Sequence, residues 1–340
     1  VQRVATIVDV AERAGVSIST VSHVVNGTRA VAEKTRQRVL QAIEETGYRQ
    51  DTLARSLRRA RTDSIGLVVS DSAQPAFADM VRGVEREAAA SGYVLLLANS
   101  GEDTAQETRV LRALTARRVD GLIVAPVADS TGKEIDAIRS DGTPVVLMDR
   151  IGGGAPEDQV GVDNTAAMRE LVAHMLGHGY RTIALASGNP KVSTIAERRL
   201  GYEQALLAGG IEPSPDLVIT GSGLADDTRA AALGLLGGAG RPEAVVCSST
   251  ETTIGVLEAA RELGLSVPGD LKLAVFDEFP HADLFEPRLT AVRQPAVEIG
   301  ARAMQLLRRR IDEPESVDRR GEVIRLTPTI TYRNSCGCTP

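Results

Sequence analysis

No apolar run in this chain approaches the ~20 residues that a membrane span requires, and 43% hydrophobic with 25% charged residues is ordinary for a soluble globular protein, which excludes a helical membrane protein. The first residues, VQRVATIVDVAERAG, lack the continuous apolar core and the small-residue cleavage site of a secretory signal, so a cytoplasmic location is expected. Cysteine is scarce: Cys247 sits in an apolar run, and Cys336 and Cys338 stand near the end. Three are too few and too badly spaced for a disulfide framework. A Cys-x-Cys pair can bind metal, but no further ligands accompany it in the sequence, and a disordered tail is expected.

Catalytic signatures are missing as well. There is no Gly-x-Ser-x-Gly elbow. Gly152-Gly153-Gly154 is followed by Ala-Pro-Glu-Asp, not by a helix, and reads as a flexible turn instead of a phosphate cradle. His174 and His178 have the i, i+4 spacing that metal sites use, but the glutamate of the metalloprotease motif and any companion ligands are absent, so an exposed helix face accounts for the pair. Neither metal nor cofactor is expected.

What is present is enough chain, 340 residues, for a small domain and a larger two-lobed body. Charge divides the same way. Residues 1–62 carry eleven Arg and Lys against six Asp and Glu, a net +5, while the remainder carries 28 against 39, a net −11. A basic head on an acidic body suits a head that binds a polyanion, although charge alone does not separate this from a solvated helix pair.

In the head, Thr6-Ile7-Val8-Asp9 reads as a variant capping box opening a short helix that stops at Gly15. Ser17 caps a second helix with Val21, Val24 and Val25 as its buried stripe. A third is expected over Ala32 to Thr46, with Val39, Leu40 and Ile43 inward and Gly47 as its end. Three such helices in about fifty residues make a helix-turn-helix domain. The polar remainder of the second helix, Ser19, Thr20, Ser22, His23 and Asn26, with Ile18, is what a major groove would meet.

The runs TIVDVAERAGVSISTVSHVVNG, VAEKTRQRVLQAIEETGY and LARSLRRARTDSIGLVV resemble, in consecutive order, the lactose repressor (LacI) family, and the similarity extends over nearly the whole chain. The resemblance implies that Ile18, Ser19 and His23 read bases, and that Thr6, Ser17, Thr20, Ser22, Asn26 and Arg29 make backbone or half-site contacts. Many members have Arg where this chain has His23, and an imidazole lacks the fork that grips guanine bidentately. The resemblance also makes residues 51–62 a hinge that folds when two protomers meet over palindromic operator DNA. Leu57 would wedge into the minor groove, flanked by Arg55 and Arg58 on the phosphates or the groove floor.

From Ile65 onward, apolar β runs alternate with helical stretches in two sets, IGLVVS to PVVLMD and QVGVD to LKLAVFD. This predicts an α/β body of two doubly wound lobes, of the periplasmic-binding-protein-like type I, below a small all-α headpiece. Similarity to the family places crossings between lobes near Asp163, Gln294 and Leu326. The N-lobe is then about 63–163 and 295–325, and the C-lobe about 164–294 and 326–340. Open α/β sheets bind ligands beyond the carboxyl ends of their strands. The resemblance puts effector contacts there, at Phe77, Asp149, Arg150, Asp163, Arg198 and Asp277. Each has a plainer reading: an Asp at a strand end is often a helix cap, and Arg198 can be a surface ion pair. Gly223 and Val192 stand where purine-binding members use an aromatic and an Arg. Carboxylates with Arg suit a sugar or sugar derivative better.

The resulting expectation is a homodimeric transcriptional repressor, residues 1–50 being its DNA-binding headpiece and 63–340 its effector-binding and dimerisation domain. A solute-binding receptor would share the body but not the head, and gel-shift retention separates the two. An α/β enzyme would place a nucleophile and base or a cofactor loop at the strand ends, and turnover would reveal it.

Overall fold

The structure, a computed structural model, describes residues 5–27, 29–48, 61–130, 132–152, 156–313 and 321–338. Arg55, Leu57 and Arg58 of the expected hinge, and Gly153 and Gly154 of the glycine turn, lie outside them. The chain divides into Val1–Thr62 and Asp63–Pro340.

In the first unit, α1 (Ile7–Ala14) opens on a closed capping box. The Asp9 carboxylate accepts from the Thr6 N–H at 2.7 Å, and the Thr6 hydroxyl accepts from the Asp9 N–H. Such a cap is worth ~1 kcal/mol. Gly15, at φ 63, ends the helix in the left-handed conformation that favours glycine. Ser17 caps α2 (Ile18–Asn26) by accepting from the Thr20 N–H at 3.2 Å, and α3 (Glu33–Thr46) follows. Val10, Ala11, Ala14, Val21, Val39 and Ala42 form the core, with Val24, Val25 and Ile43 packed around it. Leu40 departs from expectation, being 46% exposed. The inward face of α3 runs Val39, Ala42, Ile43, and Leu40 sits 100° round the helix from Val39, pointing out.

In the second unit, the described residues form two six-stranded sheets. The first has the order β11-β5-β4-β3-β1-β2, from β1 (Ser64–Val69), β2 (Val94–Asn99), β3 (Gly121–Val124), β4 (Val145–Met148), β5 (Asp158–Val162) and β11 (Val323–Leu326), all parallel. The second has the order β12-β10-β9-β8-β6-β7, from β6 (Ile183–Ala186), β7 (Val218–Ile219), β8 (Ala244–Cys247), β9 (Lys272–Phe276), β10 (Thr290–Arg293) and β12 (Thr329–Thr331). Only the β10–β12 pairing is antiparallel. Helices α4 (Pro75–Ala90), α5 (Thr104–Ala116), α6 (Lys133–Ser140) and α11 (Ala296–Asp312) cover the first sheet. The second is covered by α7 (Asn164–Gly177), α8 (Ser193–Ala208), α9 (Ala225–Leu236) and α10 (Thr250–Glu262). Coverage on both faces explains why the inner strands are unbroken apolar runs, IALA of β6 being fully buried.

The chain passes between the sheets three times: from β5 into α7 at Asp163, from β10 into α11 through Gln294 and Pro295, and from β11 to β12. Two close approaches fix α4 against α11. A Cβ on Gly83 would stand 2.1 Å from the Val297 carbonyl oxygen, and one on Gly300 would stand 2.0 Å from that of Met80. Because backbone cannot yield as a side chain can, Gly83→Ala is expected to cost ~1–3 kcal/mol, read as a lower Tm with unchanged secondary structure. An unchanged Tm would contradict this packing.

Two local readings are corrected. α10 begins at Thr250, four residues before Ile254, where the apolar pattern of the sequence puts the start of a helix over Ile254 to Leu263, because Ser249 and Thr252 close a reciprocal capping box that hydrophobic periodicity does not reveal. The segment with Cys336 and Cys338 is no disordered tail as far as residue 338. Asn334–Cys336 form a 3-10 turn in which Ser335 and Cys336 are fully buried. The Ser335 hydroxyl donates to the Leu273 carbonyl at 2.7 Å and accepts from the Thr290 N–H at 2.8 Å, and Arg333 pairs with Glu278 and Asp283. Its partners lie on β9, on β10 and between them, too far away in sequence to be read as neighbours. Among the described residues no helix is long and apolar enough to cross a membrane.

Candidate ligand cleft and DNA-reading surface

On the headpiece, burial of Val21 turns the N-terminal end of α2 outward. Ile18 is 48% exposed beside exposed Ser17 and Ser19. The Ser17 hydroxyl lies 2.8 Å from those of Ser19 and Thr20, a short hydroxyl cluster at the positive end of the helix dipole. Thr20, Ser22 and His23 are half-buried, Asn26 is the last residue of α2, and Arg29 is exposed. The Thr6 side chain is occupied by its cap. A bare isoleucine among hydroxyls suits a groove in which a thymine methyl offers apolar contact and phosphates offer acceptors.

In the body, a cavity of about 200 Å³ opens between the two sheets' carboxyl ends. One wall holds Gln74, Phe77, Glu102, Asp149 and Arg150, the other Asn189, Arg198, Gly223, Glu251 and Asp277, and Gln294 of the second crossing also lines it. Five of the six expected effector residues therefore converge. Asp163 does not: it stands at the first crossing as the N-cap of α7, accepting from the Ala166 N–H at 2.9 Å. The next residue reaches inward instead, since Asn164 is fully buried and its Oδ1 accepts from Arg198 Nε at 2.9 Å.

Arg198 is 4% exposed, which rules out a surface ion pair. Its guanidinium lies 3.7 Å above the Phe276 ring, and Nη1 donates to the Ser248 carbonyl at 2.7 Å and to Asp277 Oδ2 at 3.3 Å. Asp277 Oδ1 accepts from Gln294 Nε2 at 2.5 Å. Opposite, Arg150 grips Glu102 through both terminal nitrogens and donates to the Pro126 carbonyl at 3.1 Å. Burial works against its charge, but Glu102 more than compensates and holds its pKa above the ordinary value. Burial also pushes the Asp149 carboxyl up to about 6, against Arg150 and Arg198, while Asp277 and Glu102 add to the rise. Asp149 and Asp277 both adopt positive φ, 65 and 77, which aspartate tolerates better than most side chains. Arg150 Nε and Gln294 Oε1 are buried without a hydrogen-bond partner, Nε lying 4.0 Å from Asp149 Oδ2 in an ion pair.

Nothing in this arrangement pairs a nucleophile with a base. Burial pushes the Cys247 thiol up to about 12, outweighing a hydrogen bond from Thr253, so it is not a reactive thiolate. Sequence reading missed Glu102, Glu251 and Asn189. The signal for Glu102 was its place just past β2, where a positive φ of 58 turns the chain toward the cleft.

Comparison with known proteins agrees with this geometry. Residues 6–51 match the model of bacterial regulatory proteins of the lacI family, and residues 62–333 match that of periplasmic binding proteins and the sugar binding domain of the LacI family. The chain is 35% identical to the HTH-type transcriptional repressor PurR of Pectobacterium carotovorum subsp. carotovorum, covering 99% of this chain and 98% of that one. It is 32% identical to the catabolite control protein A of Priestia megaterium, over 97% and 98%. Among solved structures, the transcriptional regulator CelR in complex with cellobiose matches with TM-score 0.73 and 30% identity over 97% of this chain and 99% of that one. The relatives are repressors and not enzymes. A helix-turn-helix head, a two-lobed parallel α/β body with a polar cleft, and these matches over the full length establish that the chain belongs to the LacI family of DNA-binding transcriptional repressors.

Proposed function

We propose that this repressor is a cytoplasmic homodimer whose hold on a palindromic operator is set by a neutral monosaccharide, or a derivative of similar size, bound in the cleft. In this reading residues 1–50 read DNA, with Ile18, Ser19 and His23 on base edges and Thr6, Ser17, Thr20, Ser22, Asn26 and Arg29 on the backbone. Residues 51–62 are the hinge, with Leu57 as wedge and Arg55 and Arg58 on the phosphates or the groove floor, and residues 63–340 bind effector and partner. One headpiece per protomer and a two-fold dimer call for an inverted repeat.

The cavity lining carries the effector assignment. Among the described residues, five carboxylates, Glu102, Asp129, Asp149, Glu251 and Asp277, face two guanidiniums, and Phe77 is the one aromatic on the wall. Acceptors in excess suit hydroxyl donors and repel phosphate, and a single aromatic cannot sandwich a purine ring. At about 200 Å³ the space is smaller than a drug-sized site of ~300–1,000 Å³, which favours one sugar ring. Two structural relatives contain cellobiose and ribose.

A thermal-shift screen of neutral monosaccharides, sugar phosphates and purine bases, followed by binding to sites selected from random DNA, tests this. A neutral sugar is expected to raise Tm and change operator affinity about 5- to 150-fold, on inverted repeats. A response confined to purines or phosphates would overturn the effector assignment, and single asymmetric half-sites would overturn the dimeric one.

A further inference from the structure

His174 and His178 lie one turn apart at the end of α7, and the terminal turn brings Cys336 and Cys338 directly onto them. His174 Nε2 is 3.3 Å from Cys336 Sγ, and His178 Nε2 is 3.2 Å from Cys338 Sγ. The two sulfurs are 3.3 Å apart, and Cys338 Sγ is 3.6 Å from His174 Nε2. All four ligand atoms fall within 4.8 Å of one another. We propose that they form a structural zinc site that clamps the terminal segment to the C-terminal lobe.

The dimensions carry this. With Zn–S of about 2.3 Å and Zn–N of about 2.0–2.1 Å, the edges of a tetrahedron span roughly 3.3–3.8 Å. The observed contacts of 3.2–3.6 Å need only a few tenths of an ångström of relaxation to accept the ion. Two imidazoles with two thiolates, and no carboxylate in the cluster, select zinc over magnesium, calcium or manganese. Four protein ligands fill the tetrahedron and leave no open position for a substrate, which makes the site structural.

The surroundings hold the ligands ready. The Thr290 hydroxyl stands 3.0 Å from Cys336 Sγ, placed to donate to a thiolate, and the Tyr180 hydroxyl donates to the Cys336 carbonyl at 3.1 Å. Gly337 allows the Cys-x-Cys reversal: its φ is 93, and a Cβ there would stand 2.5 Å from the Tyr180 hydroxyl. His174 and His178 meet edge to face with centroids 4.7 Å apart, so both Nε2 atoms address the sulfurs. The cluster lies about ten residues along α7 from the crossing, or ~15 Å from the cleft end of the helix, which separates it from the effector residues.

The test uses the full chain purified under reducing conditions. Elemental analysis is expected to find one zinc per chain, and chelation to lower Tm by several degrees. Replacement by one equivalent of Co(II) is expected to give visible bands of tetrahedral intensity with a near-ultraviolet thiolate charge-transfer band. Cys338→Ser and His178→Ala each lie at the half-buried or exposed edge, so these variants keep the fold. They are expected to lose the metal and the charge-transfer intensity or tetrahedral pattern while still binding operator. Substoichiometric zinc after supplementation together with a featureless cobalt spectrum would overturn the site. So would a Cys336–Cys338 disulfide in the reduced preparation, since it consumes both thiolates.

Discussion

Asp149→Asn is expected to make the effector-free body more stable at pH 7 and to abolish its response to the ligand. Burial raises the Asp149 pKa from 3.8 to about 6 even after Arg150 and Arg198 have pulled it down. A raised carboxyl pKa means that the folded state holds the proton more tightly than the unfolded chain does. The cost of the ionised form is therefore absent below pH ~4, grows as pH rises toward about 6, and is complete above it. Two pKa units correspond to ~3 kcal/mol, an upper size for the gain when a neutral amide replaces the carboxylate. Asparagine is also the side chain that best tolerates the φ of 65 found there. Thermal unfolding should show the variant's advantage at pH 7 and its disappearance near pH 4. Wild-type sugar affinity should rise through pH 6 as the acceptor ionises, and the variant's should stay flat. A variant less stable than wild type at pH 7 would show that the charge is compensated in the apo cleft.

Arg198→Ala is expected to have the larger structural effect. Its guanidinium satisfies Asn164, the Ser248 carbonyl and Asp277 at once, so deletion leaves a half-buried carboxylate without its cation, at a cost below the ~3–5 kcal/mol of a fully buried pair because Gln294 still donates to it. Loss of response in that variant would not by itself prove ligand contact. Arg198→Lys keeps a positive charge near Asp277 while giving up the planar fork and the Nε bond to Asn164. It should fold, retain operator binding without effector, and lose roughly ten- to a hundred-fold in effector affinity, the equivalent of one charge-assisted hydrogen bond of about 1.5–3 kcal/mol. Calorimetry giving wild-type affinity for the lysine variant would reduce Arg198 to a packing residue.

The elements of both units were legible where local chemistry decides them. Thr6, Gly15 and Ser17 announce caps, and unbroken runs such as IALA announce strands covered on both faces. Phe77, Asp149, Arg150, Arg198 and Asp277 were legible through resemblance to the family, and their convergence on one cavity follows from the shared carboxyl-end geometry of the two sheets. Asp163 lies outside that cavity because an aspartate before a helix serves equally well as a cap, and which of Asp163 and Asn164 turns inward depends on a guanidinium 34 positions away in α8. The His–Cys cluster was illegible for a stronger reason. Its halves are separated by about 160 residues, and only the third crossing, which returns β12 and the terminal turn to the second sheet, brings them together.

That crossing and its two companions also determine what a ligand can move. Gln294 sits on the second one and at the same time in the cavity, its Nε2 tied to Asp277 and its buried Oε1 without a hydrogen bond. A guest that bonds there pushes on the pivot of the molecule and not on the ends of its levers. The ring of Pro295 fixes the backbone of one of these connections next to the point of contact. The motion left to two lobes joined by three short connections is restricted by them. Its gearing is set by how far Gln294 must tilt to meet the guest, so a change of one methylene at this position should retune the amplitude of the output.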